Sequence, residues 1–328
     1  MPRVLCTALN TQTGPHFPLL EAAGFEVAAV PLDQSVYENA ALIKWAKGFD
    51  AVIAGSEPWP RSVLEAVPEV RVLSRTGVGF DAIDMTACDE HGVVVATTPG
   101  VNHHAVAEHT MALLFGCARG FPKRDAVVRD GSWTRFSTPR IMGQTLGIIG
   151  LGRIGRAVAT RAVGVGMKVI AYDPVPPVEF ADQWGITFGP LDDVLANSDI
   201  VTLHLPVMPE TRNLINVRTL QLMRPGSILL NTARGALIDE VALEAALKSG
   251  HLRAAGLDVF QTEPLPLSSP LLKLDNVLTS GHVAGLDNES QHDTLVMAAD
   301  TIIQLFNGKW PVERIRNLAG IRNWNWKR

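Results

Sequence analysis

The stretch from Thr145 to Pro174, TLGIIGLGRIGRAVATRAVGVGMKVIAYDP, limits what this chain can fold into more than any other. An apolar run, Leu146 to Ile149, enters Gly150-Leu-Gly152-Arg-Ile-Gly155. A helical pattern with small residues at Ala157, Ala159 and Ala162 follows, and a second apolar run, Lys168 to Tyr172, ends in Asp173. Strand, glycine turn, helix, strand and acid, in that order, suit a dinucleotide. Gly150 permits the tight turn, Gly152 lets a pyrophosphate approach the backbone, and Gly155 lets the helix sit close on the strands. The free N–H groups and positive end of that helix attract the pyrophosphate. Asp173, 23 residues after Gly150, would accept the adenosine-ribose hydroxyls. Its charge repels a 2′-phosphate, so NAD is expected over NADP. A GxGxxG alone is often only a tight turn, but here the strand, helix and acid accompany it.

On both sides of this unit, short apolar runs alternate with helical patterns. Val4–Ala8, Val27–Val30, Ala51–Ala54, Val72–Ser74 and Val93–Ala96 read as strands, most of them buried on both faces, with helices between them such as Asn39–Lys47 and Arg61–Val67. Ala105 to Cys117 reads as a helix, with His103, His104 and His109 near its start. Their spacing fits no zinc motif, so they are expected at a cleft edge or as caps, and no metal is expected. A polar stretch after Gly120 carries Trp133, a packing or interface anchor in a loop, suggestive of a dimer contact. After Pro174, helices at Leu191–Ala196, Val217–Leu222 and Asp239–Ser249 alternate with strands at Asp199–Leu205, Ser227–Asn231, Ala254–Val259 and Val277–Ser280. Asp239 is expected as an N-cap, and a last helix runs from about Glu289 to Phe306. This alternation predicts parallel, doubly wound sheets whose ligand crevices open at the carboxyl ends of the strands.

With 328 residues and 47% hydrophobic content, the chain has room for two ordinary domains. A net charge of −4 without a basic block gives no sign of nucleic acid as a partner. Three widely spaced cysteines suggest a reducing compartment, not a disulfide frame. No signal-peptide core and no apolar run near the ~18 residues of a membrane span are visible, so a soluble, cytoplasmic protein is expected.

The chemistry-bearing residues follow strands. Thr232-Ala233-Arg234-Gly follows Leu229-Leu-Asn231, Gln-Thr-Glu263-Pro264 follows Gly256-Leu-Asp258-Val-Phe, and Gly281-His282-Val-Ala284-Gly285 follows Val277-Leu-Thr-Ser280. Singly, Arg234, Glu263 and His282 read as a strand-end cation, a turn acid and a satisfied loop histidine. Beside a nucleotide turn, the three together suit hydride transfer. In the first domain, Arg75-Thr-Gly77-Val78-Gly79-Phe-Asp81 reads either as a loop whose N–H groups hold a carboxylate or as a glycine-rich turn.

From about Ala51 to Gly308 the chain resembles the D-isomer-specific 2-hydroxyacid dehydrogenases. The resemblance rests on Arg75-Thr-Gly-Val-Gly79, Val106-Ala-Glu108-His-Thr, Gly150-Leu-Gly-Arg-Ile-Gly155, His204-Leu-Pro206 with Glu210-Thr211-Arg, Asn231-Thr-Ala-Arg-Gly235, Gly256-Leu-Asp-Val-Phe-Gln-Thr-Glu-Pro264 and His282-Val-Ala-Gly285. It implies a Rossmann NAD domain, residues 101–286, inserted in a flavodoxin-like substrate domain made of residues 1–100 and 287–328. It also implies a homodimer. Arg234 would bind the carboxylate and carbonyl oxygen of a 2-oxo acid. His282 would act as general acid/base, with Glu263 pairing to it, raising its pKa and fixing its tautomer. The N–H groups of Val78 and Gly79, beside Arg75, would grip the carboxylate, and Asp258 would meet the nicotinamide amide. Arg153, Ile154, Asp173, His204, Pro206, Thr211, Thr232, Ala233, Arg234, His282 and Ala284 would line the rest of the NAD site. Domain closure would keep water from the hydride path.

The motifs depart from that family in places. Gly281 stands where proline usually precedes the histidine, and Glu263 where formate dehydrogenases carry glutamine. The pattern resembles phosphoglycerate dehydrogenases, with Arg75 and Arg135 as candidate phosphate ligands. Yet Gly55 stands where such enzymes offer another arginine, and a chain ending near residue 328 is expected to lack their regulatory domain. Hydroxypyruvate or glyoxylate reduction is therefore the rival expectation. From another class, the fold is similar to that of NAD-sensing transcriptional corepressors, which bind peptides without turnover.

Overall fold

The computed structural model describes residues 1–8, 12–318 and 324–326. They form two units: residues 1–102 with 287–328, and residues 103–286.

In the first unit β1 (Arg3–Cys6), α1 (His16–Ala22), β2 (Glu26–Ala29), α2 (Asn39–Ala46), β3 (Ala51–Ala54), α3 (Arg61–Ala66), β4 (Val72–Arg75), α4 (Met85–His91) and β5 (Val94–Ala96) alternate along the chain. The strands make an all-parallel sheet in the order β2-β1-β3-β4-β5. The central strand Ala51-Val-Ile-Ala54 is buried at every residue, as a parallel strand covered on both faces must be. β2 sits at the sheet edge with Glu26 exposed, the exception among strands most of which are buried on both faces. Residues 314–317 run beside the other edge: Arg316 N–H donates to Val95 O, Thr97 N–H to Arg314 O, and Ile315 bridges Ala96 in antiparallel fashion. That segment covers an edge strand that would otherwise offer open N–H and C=O groups.

The second unit holds α5 (His103–Arg119), α6 (Phe121–Arg129), β6 (Thr145–Ile149), α7 (Arg153–Gly164), β7 (Lys168–Tyr172), α8 (Val178–Trp184), β8 (Thr187–Phe188), α9 (Leu191–Asn197), β9 (Ile200–Leu203), α10 (Val217–Leu222), β10 (Ser227–Asn231), α11 (Glu240–Lys248), β11 (Leu252–Leu257) and β12 (Val277–Thr279). Its seven parallel strands lie in the order β12-β11-β10-β9-β6-β7-β8, so the order reverses between β6 and β9. β9 and β10 are buried throughout. Asp239 caps α11 by accepting from the N–H groups of Val241 and Ala242. A final helix, α12 (Asn288–Phe306), belongs to the first unit. Ala298 and Ala299, wholly buried, let it sit close to β4, where Ser74 Oγ donates to Ala298 O at 3.1 Å.

The strands expected from sequence are present, with ends displaced by one or two residues. Trp133 lies in a loop as expected, but the polar stretch after Gly120 begins with α6, a helix the sequence reading does not contain. That helix buries none of its residues, so it carries no apolar stripe for periodicity to find. It starts at Gly120, whose φ of +61° turns the chain out of α5.

Candidate active site

The turn after β6 is shaped by what its glycines leave out. A Cβ on Gly150 would lie 2.8 Å from the backbone carbon of His204, and one on Gly155 would lie 2.1 Å from Gly150 O. Those two positions are closed by the protein itself. At Gly152 a Cβ would meet nothing within 4 Å, so the space beside it is open. Gly152 is also the N-cap of α7 and offers no side-chain cap, leaving first-turn N–H groups directed at that space, beside the exposed Arg153 and half-buried Ile154. An open cradle at a helix N-terminus fits a pyrophosphate. Asp173, just past β7, accepts from Leu151 N–H at 2.6 Å and from Val175 N–H at 2.8 Å. Each of its oxygens keeps a further acceptor site for ribose hydroxyls. After β9, His204 Nε2 meets Thr202 Oγ1 at 3.0 Å, while its Nδ1 is buried without a partner among the described residues. Burial pushes the pKa of this ring down to about 3, so it is neutral. Thr211 pins the next loop, donating to Pro206 O at 2.8 Å and accepting from Met208 N–H at 2.7 Å. These residues surround the strand-order reversal between β6 and β9, the place where open parallel sheets bind ligands.

One end of this sheet also gathers the residues after β10, β11 and β12. Asn231, wholly buried, accepts from Ala233 N–H at 3.0 Å and donates to Arg234 O at 2.8 Å, fixing the turn that carries Arg234. Gly235 brings this turn against the exit of β11, since a Cβ there would lie 1.9 Å from the Phe260 backbone carbon. Thr232 Oγ1 meets Thr110 Oγ1 of α5 at 2.9 Å. Glu263 Oε1 accepts from Phe260 N–H at 2.9 Å, and Glu263 Oε2 lies 2.7 Å from His282 Nδ1. Burial pushes the Glu263 carboxyl up, but the His282 bond, the Phe260 N–H and the nearby Arg234 outweigh it and hold it below the usual carboxylate range. The bond assigns the Nδ1 proton to the glutamate side and leaves Nε2 outside the pair.

His282 sits in left-handed backbone, φ +56°. Its N–H donates to Asp258 O at 2.7 Å, and the Asp258 carboxylate accepts from Val283 N–H (3.0 Å), Ala284 N–H (2.9 Å) and Ser280 Oγ (2.6 Å). Sequence reasoning expected Asp258 at the nicotinamide amide. It is fully buried, and these bonds make it the anchor of the His282 loop. It also expected His109 as a cleft-edge or capping residue. His109 Nε2 lies 2.7 Å from Ser280 Oγ and 3.6 Å from Asp258 Oδ1, which extends the anchor onto α5. Its one sequence signal was its place in Val106-Ala-Glu108-His-Thr110, where Thr110 also reaches the site.

In the first unit, the loop after β4 is held by Thr76, whose N–H and Oγ1 both donate to Ala54 O, and by Gly77 N–H, which donates to Thr98 Oγ1 at 2.8 Å. Arg75 Nη1 donates to Thr76 O at 2.6 Å. The N–H groups of Val78 and Gly79 have no acceptor among the described residues. Such a pair suits a carboxylate. Arg135 lies exposed in the other unit. A cavity of about 260 Å³ in the second unit, lined by Cys117, Phe136, Arg253 and Leu278 among others, opens at the amino ends of β11 and β12. It is away from the strand ends that carry Arg234, Glu263 and His282.

Residues 111–284 match the family model for the NAD-binding domain of D-isomer-specific 2-hydroxyacid dehydrogenases. The chain is 39% identical over 283 residues to D-3-phosphoglycerate dehydrogenase of Archaeoglobus fulgidus, covering 85% of this chain and 54% of that protein. It is 38% identical over 286 residues to glyoxylate reductase of Korarchaeum cryptofilum, covering 85% of this chain and 86% of that protein. The chain thus spans about half the length of the phosphoglycerate dehydrogenases it matches. D-lactate dehydrogenase of Aquifex aeolicus, solved with NAD and lactic acid, superposes with a TM-score of 0.81 at 25% identity, covering 93% of this chain and 96% of that one.

Proposed function

We propose, for a chain that belongs to the D-isomer-specific 2-hydroxyacid dehydrogenase family, that it interconverts a small 2-oxo acid and its D-2-hydroxy acid with NAD(H). The observation that carries this reading is the 2.7 Å pairing of His282 Nδ1 with Glu263 Oε2 at the strand ends that also present Arg234. The Gly150–Gly155 turn and Asp173 would hold NAD, which would supply or accept the hydride when bound. The Arg234 fork binds the acid's carboxylate and its 2-oxygen, matching a planar acceptor. In the oxidising direction His282 Nε2 takes the hydroxyl proton; in the reducing direction it gives that proton back. Glu263, kept ionised by its bonds, stabilises the imidazolium and holds the ring's tautomer. Within the first unit, the Val78 and Gly79 N–H groups, with Arg75 beside them, suit a carboxylate. His204, Pro206, Thr211 and Thr232 line the cofactor, and Ala284 follows the histidine in the same role.

The proposed assembly is a homodimer, supported by Phe121, Val128, Trp133 and Met142, which expose apolar side chains along one segment of the second unit. Sedimentation equilibrium checks it. Three buried free cysteines support the cytoplasm as location. The test of the function is NADH oxidation against 3-phosphohydroxypyruvate, hydroxypyruvate, glyoxylate and pyruvate, repeated with NADPH. Turnover of at least one acid, faster with NADH, is expected from Arg234, His282 and Asp173. Silence across the panel overturns the reading.

A further inference from the structure

The first unit's sheet order, β2-β1-β3-β4-β5, places its reversal between β1 and β3, where open parallel sheets of this order take their ligands. Thr7 directly follows β1 and Gly55 to Glu57 directly follow β3. Glu57 is only 2% exposed, yet no cation pairs with it among the described residues. One of its oxygens is held by three donors: the Thr7 hydroxyl, Gly55 N–H at 3.1 Å and Trp59 Nε1 at 3.3 Å, all on Oε1. Oε2 accepts nothing among the described residues. The neighbouring position explains why it stays uncovered, because a Cβ on Gly55 would lie 2.8 Å from Oε2. A carboxylate fixed by one oxygen and bare at the other, at a sheet's ligand crevice, is a recognition element in form.

The loop carrying Glu57 is joined to the loop carrying Val78 and Gly79. Thr76 binds Ala54 O, Trp59 N–H donates to Ala82 O at 2.8 Å, Asp84 N–H donates to Trp59 O at 3.0 Å, and Trp59 bridges Ile83. The same unit therefore presents a cation and free N–H groups on one strand end and an uncompensated carboxylate on the next.

We propose that Glu57 sets substrate choice: its Oε2 accepts a hydrogen bond from a hydroxyl on the tail of the acid and rejects a phosphate or second carboxylate there. This rests on the 2-hydroxyacid reading above and narrows it to small acids with uncharged tails. A like charge within about 4–6 Å of a buried carboxylate is strongly disfavoured.

The test is calorimetric binding of D-glycerate and 3-phospho-D-glycerate to the full chain with NAD⁺ present, for wild type and Glu57→Gln. Glutamine keeps an oxygen for the three donors, removes the charge and puts a donor NH2 in place of Oε2, from which a tail hydroxyl can still accept. The wild type is expected to bind D-glycerate at least ~10-fold more tightly, and Glu57→Gln to gain ~10-fold for the phosphorylated acid while D-glycerate changes less than about threefold. Thr7→Val, which removes a donor and no charge, should leave the ratio of the two affinities as it is. This holds the assignment apart from a purely structural role for the carboxylate. Tighter binding of 3-phosphoglycerate by the wild type, an unchanged ratio in Glu57→Gln, or no binding of either acid would each overturn the proposal. Should the ratio behave as expected while no 2-oxo acid is turned over, Glu57 keeps its role and the dehydrogenase reading fails.

Discussion

The two units treat their polar groups in opposite ways. At the strand ends of the second unit nearly every group around His282 is engaged: Asp258 holds three donors, Glu263 holds Phe260 and His282, and Asn231 holds both sides of the Arg234 turn. At the strand ends of the first unit, the Val78 and Gly79 N–H groups and Glu57 Oε2 have no partner among the described residues. Groups that do chemistry on many similar acids gain from being preorganised by the protein. Groups that choose one acid must instead stay unpaired until the ligand completes them, since rejecting a wrong ligand depends on leaving their needs unmet. On this reading the second unit supplies rate and the first supplies selection.

The sharpest way to break that division is at its most committed residue. His282→Ala should lower kcat by at least ~100-fold, the worth of a positioned acid/base, while NAD affinity measured by fluorescence titration is kept. If NAD binding fell and turnover did not, His282 would be a cofactor contact, and the second unit would no longer be the part that supplies rate.

Glu263→Gln asks how far the engagement matters. A neutral partner can still hold the ring but no longer favours the imidazolium, so a loss of about 10- to 100-fold in kcat is expected, smaller than for His282→Ala. The pair also has a pH signature. The Glu263 carboxyl is held below its ordinary value of 4.5 in the folded chain. A depressed carboxyl stabilises the fold above its unfolded pKa, and that contribution is lost as pH falls through the folded value. The melting temperature of wild type minus that of Glu263→Gln should therefore be constant from about pH 8 to about pH 5 and shrink on further acidification. A difference that grew in acid would mean that the bonds from His282 and Phe260 do not govern this carboxyl.

How much of this was legible in the sequence follows the same line between local and distant causes. The β6–α7–β7 unit could be read because its strand, glycines, helix and acid lie within thirty residues and each has a local signature. α6 could not, because nothing on it is buried and the only local mark was Gly120. The acid/base pairing was stated only through family resemblance; the bonds that make it one object join residues 19 to 25 positions apart across neighbouring strands. His109 and Ser280 are 171 positions apart, so a helix histidine carried no hint of its partner. Glu57 carries no local signal for the same reason. Its hold on Thr7 spans 50 positions and exists only because β1 and β3 are neighbours in the sheet, which no pattern within either segment displays.

The smallest effect tests the first unit's side of the comparison. Thr98 Oγ1 accepts from Gly77 N–H at 2.8 Å, donates to Gly77 O at 3.4 Å and is fully buried, so Thr98→Val removes both contacts without changing shape or charge, while Gly77 O keeps the Thr98 N–H at 2.9 Å. Gly77 has φ +142°, a conformation glycine tolerates, and it retains the turn bond from its N–H to Arg75 O at 3.0 Å. The loss should therefore be that of one short buried hydrogen bond and one long one whose acceptor keeps another donor, about 1 kcal/mol in all. If this loop only selects and holds the acid, the loss falls on binding: KM for the preferred 2-oxo acid should rise about 3- to 10-fold with kcat nearly unchanged. A fall in kcat at constant KM would instead place the Arg75–Gly79 loop in the chemical step. The two units would then share the catalytic role, and the contrast between engaged and open groups would describe how each is built without saying what each does.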